Sequence, residues 1–120
     1  MKILGIGVDV IQNKRLKSLL KNDKFMKRTF TKKEIKFSKK INSKINFFSK
    51  RYAAKEALAK AIGTGFRYNL NLKDIEICND RIGKPYYSKS IKIDKIIKKK
   101  FSIKRYNLFL SISDEKDYSV

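Results

Sequence analysis

The apolar positions change their period along the chain. Residues 2–10 run almost without a polar break, ILGIGVDV after Lys2, as in a strand buried on both faces. From Gln12 to Lys21, Leu16, Leu19 and Leu20 recur at helical spacing. This predicts a short amphipathic helix whose outer face carries Lys14, Arg15, Lys17 and Lys21. FTKKEI at 30–35 reads as a helix start: Thr31 is the N-cap, Glu34 its capping-box partner, and Phe30 and Ile35 stand at the staple positions. The strongest helix signal is NFFSKRYAAKEALAKAIGTG, 46–65. Ala53, Ala54, Ala57, Leu58, Ala61 and Ile62 form its apolar stripe, Gly63 is a C-terminal stop, and Gly65 frees the following loop.

The second half reads more as sheet. DIEIC at 74–78 alternates as a half-buried strand does, NDRIGKP at 79–85 is turn chemistry, and YYS follows, so a hairpin is expected. IKIDKIIKKKF at 91–101 fits either class by composition, but Ile93, Ile96, Ile97 and Lys100 favour a helix. YNLFLSIS at 106–113 predicts a strand with Leu108, Leu110 and Ile112 on one face. Strand, helices, strands, helix, strand is an α+β order, and 120 residues is the size of one domain, 1–120.

Composition narrows the chemistry. With no histidine and only Cys78, a zinc site of the usual kind, a Ser–His pair and a Cys–His pair are all excluded, as is an intrachain disulfide. Cys78 lies in a predicted strand and reads as a packed thiol. No segment has the roughly 18–20 apolar residues of a membrane helix, and no signal-peptide core is present, so a cytoplasmic protein is expected. The formal net charge is +20, which fits a polyanionic partner. Lysine outnumbers arginine by 25 to 6, a bias that an A/T-rich coding sequence also produces, and the charge is spread along the chain. A small basic nucleic-acid-binding protein is therefore the alternative reading, with Tyr52, Phe66, Tyr68, Tyr86 and Tyr87 as stacking groups, although they form no recognised RNA-binding pattern.

GIG at 5–7 lacks the third glycine of a dinucleotide loop and lies within the apolar run, not after it. Attention falls on the acids, eleven against 31 basic residues. Asp23, Asp80 and Asp94 stand at turns or polar faces and read as solvated. Asp9 does not: a bare carboxylate taken from water costs several kcal/mol unless a cation or hydrogen bonds compensate. Glu56 interrupts the alanine-rich helix one turn before Lys60, where an i,i+4 ion pair worth about 0.2–0.5 kcal/mol is the simplest reading. Taken with Asp9 it allows another. Magnesium takes one or two protein carboxylates and leaves its other positions to water and phosphates. Arg51, Lys55 and Lys60 are then placed to hold phosphate oxygens, which is the setting of phosphoryl transfer.

GIGVDVIQNKR and KRYAAKEALAKAIGTG resemble the two signature segments of the holo-[acyl-carrier-protein] synthase family, the short-chain class of 4′-phosphopantetheinyl transferases. DIEICNDRIGKPYY resembles the family's third block, and the order and spacing match across almost the whole chain. The resemblance implies the 4′-phosphopantetheinyl transferase fold, a small antiparallel sheet packed against helices. It implies transfer of phosphopantetheine from coenzyme A to a serine of apo-acyl carrier protein, in support of fatty acid biosynthesis, with release of adenosine 3′,5′-bisphosphate. Mg²⁺ would be held by Asp9 and Glu56, and Lys60 would contact the pyrophosphate. Arg51, Lys60, Gly63, Thr64, Gly83, Lys84 and Pro85 would bind coenzyme A. Arg15, with Lys14 and Lys21, would receive the acidic carrier protein, and a homotrimer with interfacial active sites is expected. With no histidine available the base is a carboxylate or a metal-bound water, and Glu56 is favoured. Two departures stand out. Asp114 occupies a place after the S-x-S strand where many members carry histidine, and the chain ends at Val120, soon after DYS, where members continue with a last strand. Altered nucleotide contacts and a weaker sheet edge are the expectations that follow.

Overall fold

Helix α4 (Lys44–Ile62) is the axis around which the other elements pack. A computed structural model, which describes residues 1–120, gives the order β1 (Ile11–Gln12), α1 (Asn13–Leu19), α2 (Asp23–Thr29), α3 (Lys32–Ser38), α4, a 3₁₀ turn (Leu72–Asp74), β2 (Ile77–Asn79), β3 (Pro85–Tyr87), α5 (Ile91–Phe101) and β4 (Tyr118–Ser119). The class is α+β, with two short antiparallel pairs, β1 with β4 and β2 with β3.

Two cores flank α4. Phe47, Phe48 and Ala53 pack with Ile11, Leu16 and Phe30 on one side. Ala54, Leu58, Ala59 and Ile62 pack with Leu70, Ile75, Ile77, Ile93 and Ile97 on the other. Each fully buried aliphatic or aromatic side chain contributes about 1.5–3 kcal/mol. The single alanine stripe expected for this helix is therefore divided. Gly63 ends α4 in the left-handed region at φ +83°, as its position predicts. The Thr31–Glu34 capping box opens α3 as expected. Helix α2, capped by Asn22, has too few apolar positions to be visible from periodicity. In α5 Ile93 and Ile97 are buried and Lys100 is exposed.

Two expected strands are not strands here. Residues 2–10 are extended but pair with nothing, and Ile3, Ile6, Val8 and Val10 are exposed. The segment is held by one edge only. A Cβ at Gly5 would stand 1.9 Å from the Ala61 carbonyl oxygen, and one at Gly7 1.8 Å from that of Ala57, so both glycines lie directly on the α4 backbone. The apolar side chains on the opposite edge face no neighbour within the chain. Residues 106–112 likewise have no ladder, and pairing begins only at Ser113, which exchanges both backbone hydrogen bonds with Val120 at 2.9 and 2.8 Å; Leu110 and Ile112 reach the core, whereas Leu108 and Phe109 are exposed. The strand expected at 74–78 is shorter and later, because Asp74 accepts the Asn71 N–H at 2.8 Å and closes a 3₁₀ turn.

Lys55 and Arg51 do not hold an open phosphate site; both turn into the core. Lys55 is fully buried and donates to Glu34 Oε1 at 2.7 Å, to the Leu72 carbonyl at 3.1 Å and to the Ile75 carbonyl, which uses all three ammonium protons. Burial pushes its pKa down, opposed by the Glu34 charge. Glu34, itself buried, also accepts the Thr31 and Ile77 N–H groups at 2.9 and 3.1 Å. One carboxylate thus caps α3, anchors α4 and receives β2. The chain end is tied down too. Buried Asn13 donates to the Glu115 and Lys116 carbonyls and accepts from the Ser119 hydroxyl at 2.6 Å, so the expected weak edge is locally well bonded.

Candidate active site

The face of α4 left free by the two cores carries Tyr52, Glu56 and Lys60, spaced four residues apart and so aligned along one side of the helix. The N-terminal segment runs alongside in the opposite sense, Gly5 over Ala61 and Gly7 over Ala57. Two extended residues advance about 6.6 Å and four helical residues about 6 Å. The two elements therefore stay in step, and Asp9 arrives beside the Glu56 turn. Helical side chains lean toward their N-terminus. Lys60 accordingly reaches back, donating to the Val8 carbonyl at 2.9 Å and to Asp9 Oδ1 at 3.1 Å. This replaces the i,i+4 pair with Glu56, which does not form. The two glycines thus have a structural reason: a side chain at either would push Asp9 away from α4.

Glu56 carries no ion pair. Partial burial, reinforced by the Asp9 charge, holds its pKa above the ordinary glutamate value, while the nearby Tyr52 hydroxyl and Lys60 oppose the shift. Tyr52 is itself raised, first by burial and then by Glu56, and Arg15 on α1 lies close enough to counter this. The structure therefore brings together Asp9, Glu56 and Lys60, with Tyr52 against the glutamate and Arg15 at the border. Tyr52 was legible only as an aromatic; its polar role depends on the register of α4 against residues 5–9.

The remaining candidates take other positions. Gly63 and Gly65 send both amides to the Ala59 carbonyl, and buried Thr64 donates its hydroxyl to the Gly65 carbonyl at 3.0 Å, so this loop presents backbone more than side chain. Gly83, at φ +90°, forms the β2–β3 turn with Lys84 and Pro85. Asp80 is exposed, but it organises that turn by accepting the Ile82 and Lys84 N–H groups at 3.0 and 2.8 Å. Arg51 is 5% exposed, stacks on Phe47 at 3.8 Å and donates to Asn79 at 2.7 Å; Asn79 in turn donates to the Gly83 carbonyl at 2.9 Å. Its contact with the turn is thus indirect. Lys14, Arg15 and Lys21 are exposed on and just after α1. Asp114 accepts from Asn46 at 2.8 Å and pairs with Lys50 at 3.3 Å, and its pKa is held down, first by the Asn46 hydrogen bond.

Asp9, Glu56 and the Val8 carbonyl are hard oxygen donors, a set that suits Mg²⁺ better than a soft metal. A pair of carboxylates of this kind can hold a divalent cation and accept a proton, and the ammonium beside them can stabilise negative charge on a phosphate.

Known proteins share this arrangement of chain. A sequence model of the 4′-phosphopantetheinyl transferase superfamily matches residues 5–119. The chain is 60% identical over 120 residues to the holo-[acyl-carrier-protein] synthase of Pelagibacter ubique (strain HTCC1062), covering 100% of this chain and 94% of that relative. It is 44% identical over 125 residues to the synthase of the same name from Clostridium tetani, covering 98% and 91%. Among solved structures it is similar to the holo-[acyl-carrier-protein] synthase of Neisseria meningitidis, with a TM-score of 0.85, 36% identity and coverage of 98% and 94%. It is also similar to that of Bacillus anthracis str. Ames in complex with coenzyme A (3′,5′-ADP), with a TM-score of 0.78, 35% identity and coverage of 98% and 90%.

Proposed function

The chain belongs to the 4′-phosphopantetheinyl transferase superfamily, and we propose that it transfers the 4′-phosphopantetheine arm of coenzyme A to a serine of apo-acyl carrier protein. The products are holo-acyl carrier protein and adenosine 3′,5′-bisphosphate, and the reaction supports fatty acid biosynthesis. The observation that carries the reading is the meeting of Asp9, Glu56 and Lys60 on the free face of α4.

Asp9 and Glu56, with the Val8 carbonyl, would hold Mg²⁺. When bound, that ion supplies charge neutralisation on the coenzyme A pyrophosphate. The carrier serine oxygen attacks the β-phosphorus. Glu56 takes the serine proton; its raised pKa makes it a better base than a solvated carboxylate. The bond from that phosphorus to the bridging oxygen breaks, and Lys60 stabilises the negative charge left on adenosine bisphosphate. The loop Gly63–Thr64 and the turn Gly83–Lys84–Pro85 border coenzyme A. Arg51 belongs to that site as a positioning residue, through Asn79. Arg15, with Lys14 and Lys21, steers the acidic carrier protein toward Glu56.

We take residues 1–120 as a single transferase domain that works as a homotrimer. The exposed apolar edge on Ile3, Ile6, Val8 and Phe109 supports this, because it borders a largely apolar cleft of about 720 Å³ that a second copy would cover. We place the reaction in the cytoplasm with its coenzyme A donor. No helix is long and apolar enough to cross a membrane.

Mass spectrometry of an apo-carrier protein incubated with enzyme, coenzyme A and Mg²⁺ tests the reading. A gain of the phosphopantetheine mass is expected, lost in folded Asp9→Ala and Glu56→Ala variants. Full activity in both variants would remove the metal and base assignments; no mass gain in the unaltered protein would remove the function.

A further inference from the structure

Lys60 makes its two hydrogen bonds to the oxygens that a hard cation would use. Its ammonium lies 2.9 Å from the Val8 carbonyl and 3.1 Å from Asp9 Oδ1. The Asp9 side chain is 17% exposed and sits in an apolar segment with no ladder partner, whereas the Lys60 side chain is 54% exposed on the free face of α4. Asp9 therefore needs a cation nearby, and Lys60 is the one charge in the molecule that forms an ion pair with it. A lysine and a divalent ion cannot both sit against these oxygens without strong repulsion: at about 4–5 Å in water a unit charge and a double charge repel enough to change affinity roughly tenfold or more.

We propose that Lys60 is a stand-in cation. While no divalent ion is bound, its ammonium fixes Asp9 and the Val8 carbonyl beside α4, and it leaves them when the ion arrives. Its four-carbon stem, rooted on an exposed helical face, then lets the ammonium swing to a phosphate oxygen. Two consequences follow. The free protein binds a divalent ion weakly, because Lys60 must be displaced. A diphosphate strengthens ion binding, because it gives the displaced ammonium a new partner. The metal and the diphosphate thus load together, and one lysine serves before and after loading. This rests on Asp9 and Glu56 being the metal ligands.

The probe is Mn²⁺, titrated into the full-length protein and followed by electron paramagnetic resonance, without coenzyme A. Lys60→Met and Lys60→Gln are both measured, so that a folding defect in one leaves the other; circular dichroism reports the fold. Both are expected to bind Mn²⁺ on the order of tenfold tighter than the unaltered protein. Arg15→Met serves as the control for a general field, since Arg15 lies near the site but has no bond to Asp9; a gain of about twofold or less is expected. Unchanged or weaker binding in both Lys60 variants overturns the proposal, as does an equal gain in Arg15→Met. A second arm adds coenzyme A. Mn²⁺ binding that depends on Asp9 but does not tighten in the Lys60 variants defeats this inference alone. No Asp9-dependent binding under either condition defeats the ligand assignment and this inference with it.

Discussion

Gly7→Ala is the sharpest probe of how the N-terminal segment sets the site. The added methyl carbon would stand 1.8 Å from the Ala57 carbonyl oxygen and 2.7 Å from the Ala61 nitrogen. These are the acceptor and donor of one helical hydrogen-bond step, so the methyl falls onto the α4 ladder. Ordinary contact begins near 3.4 Å, which leaves a shortfall of about 1.6 Å. Helix α4 is clamped between two cores and cannot retreat. Residues 2–10 have no strand partner and can. The segment therefore lifts, and Asp9, two residues along and bonded to Lys60 at 3.1 Å, moves out of register with Glu56. A misplacement of about 1 Å at reacting groups costs about 100-fold in rate. Overpacking costs about 1–3 kcal/mol, or roughly 4–12 °C in Tm for a chain of this size. The expected result is a folded protein whose initial rate of carrier-protein modification falls about 100-fold. Gly5→Ala, four residues from Asp9, loses less. A folded Gly7→Ala protein with a rate within about threefold of the unaltered one refutes the coupling.

The other predictions concern charges away from that contact. Lys55→Met leaves Glu34 buried without its cation, which costs about 3–5 kcal/mol and lowers Tm by about 12–20 °C; replacing both residues with apolar ones recovers only part of the loss in chemical denaturation, because the Thr31 and Ile77 N–H groups and the Leu72 and Ile75 carbonyls lose their partners. Glu56→Gln, in metal-free protein, raises stability at pH 7, because a raised pKa means that the folded state favours the protonated acid and loses that preference as pH rises. The gain seen in melting curves disappears as pH falls below the ordinary glutamate range; a gain that persists at low pH contradicts the assignment.

The sequence made some elements plain because their signals are local. Thr31–Glu34 is a cap set by a three-residue spacing, and Gly63 is a stop set by one left-handed residue. The pairing of Asp9 with the Glu56 region was also visible, since a carboxylate within an apolar run needs a cation from somewhere and the family motif supplies the second acid. The segments 2–10 and 106–112 read as strands yet have no ladder within the chain, for a physical reason. A short apolar run or an alternating pattern reports an extended backbone with apolar side chains, and it is silent on whether the surface that must cover them comes from the same chain.

Arg51 and Lys55 are buried and present no open phosphate site for a different reason, and it bears on how basic proteins are read. A cation next to a catalytic motif invites a phosphate, and with 31 basic residues in the chain there are many invitations. Helical phase decides among them. Residues 52, 56 and 60 share the free face, so Lys60 meets Asp9 and Glu56; residues 51 and 55 are turned by one position, about 100°, into the core. There they find Glu34 and Asn79 in place of solvent. The buried pair still serves the site: Lys55 fixes the rotation of α4 against the loop at Leu72 and Ile75, and that rotation aims its sequence neighbour Glu56 outward. Two adjacent residues of one motif, Lys55 and Glu56, thus divide the work. One is spent inside so that the other is held in place outside, and no periodicity in the sequence separates the two tasks without the partner that Glu34 supplies.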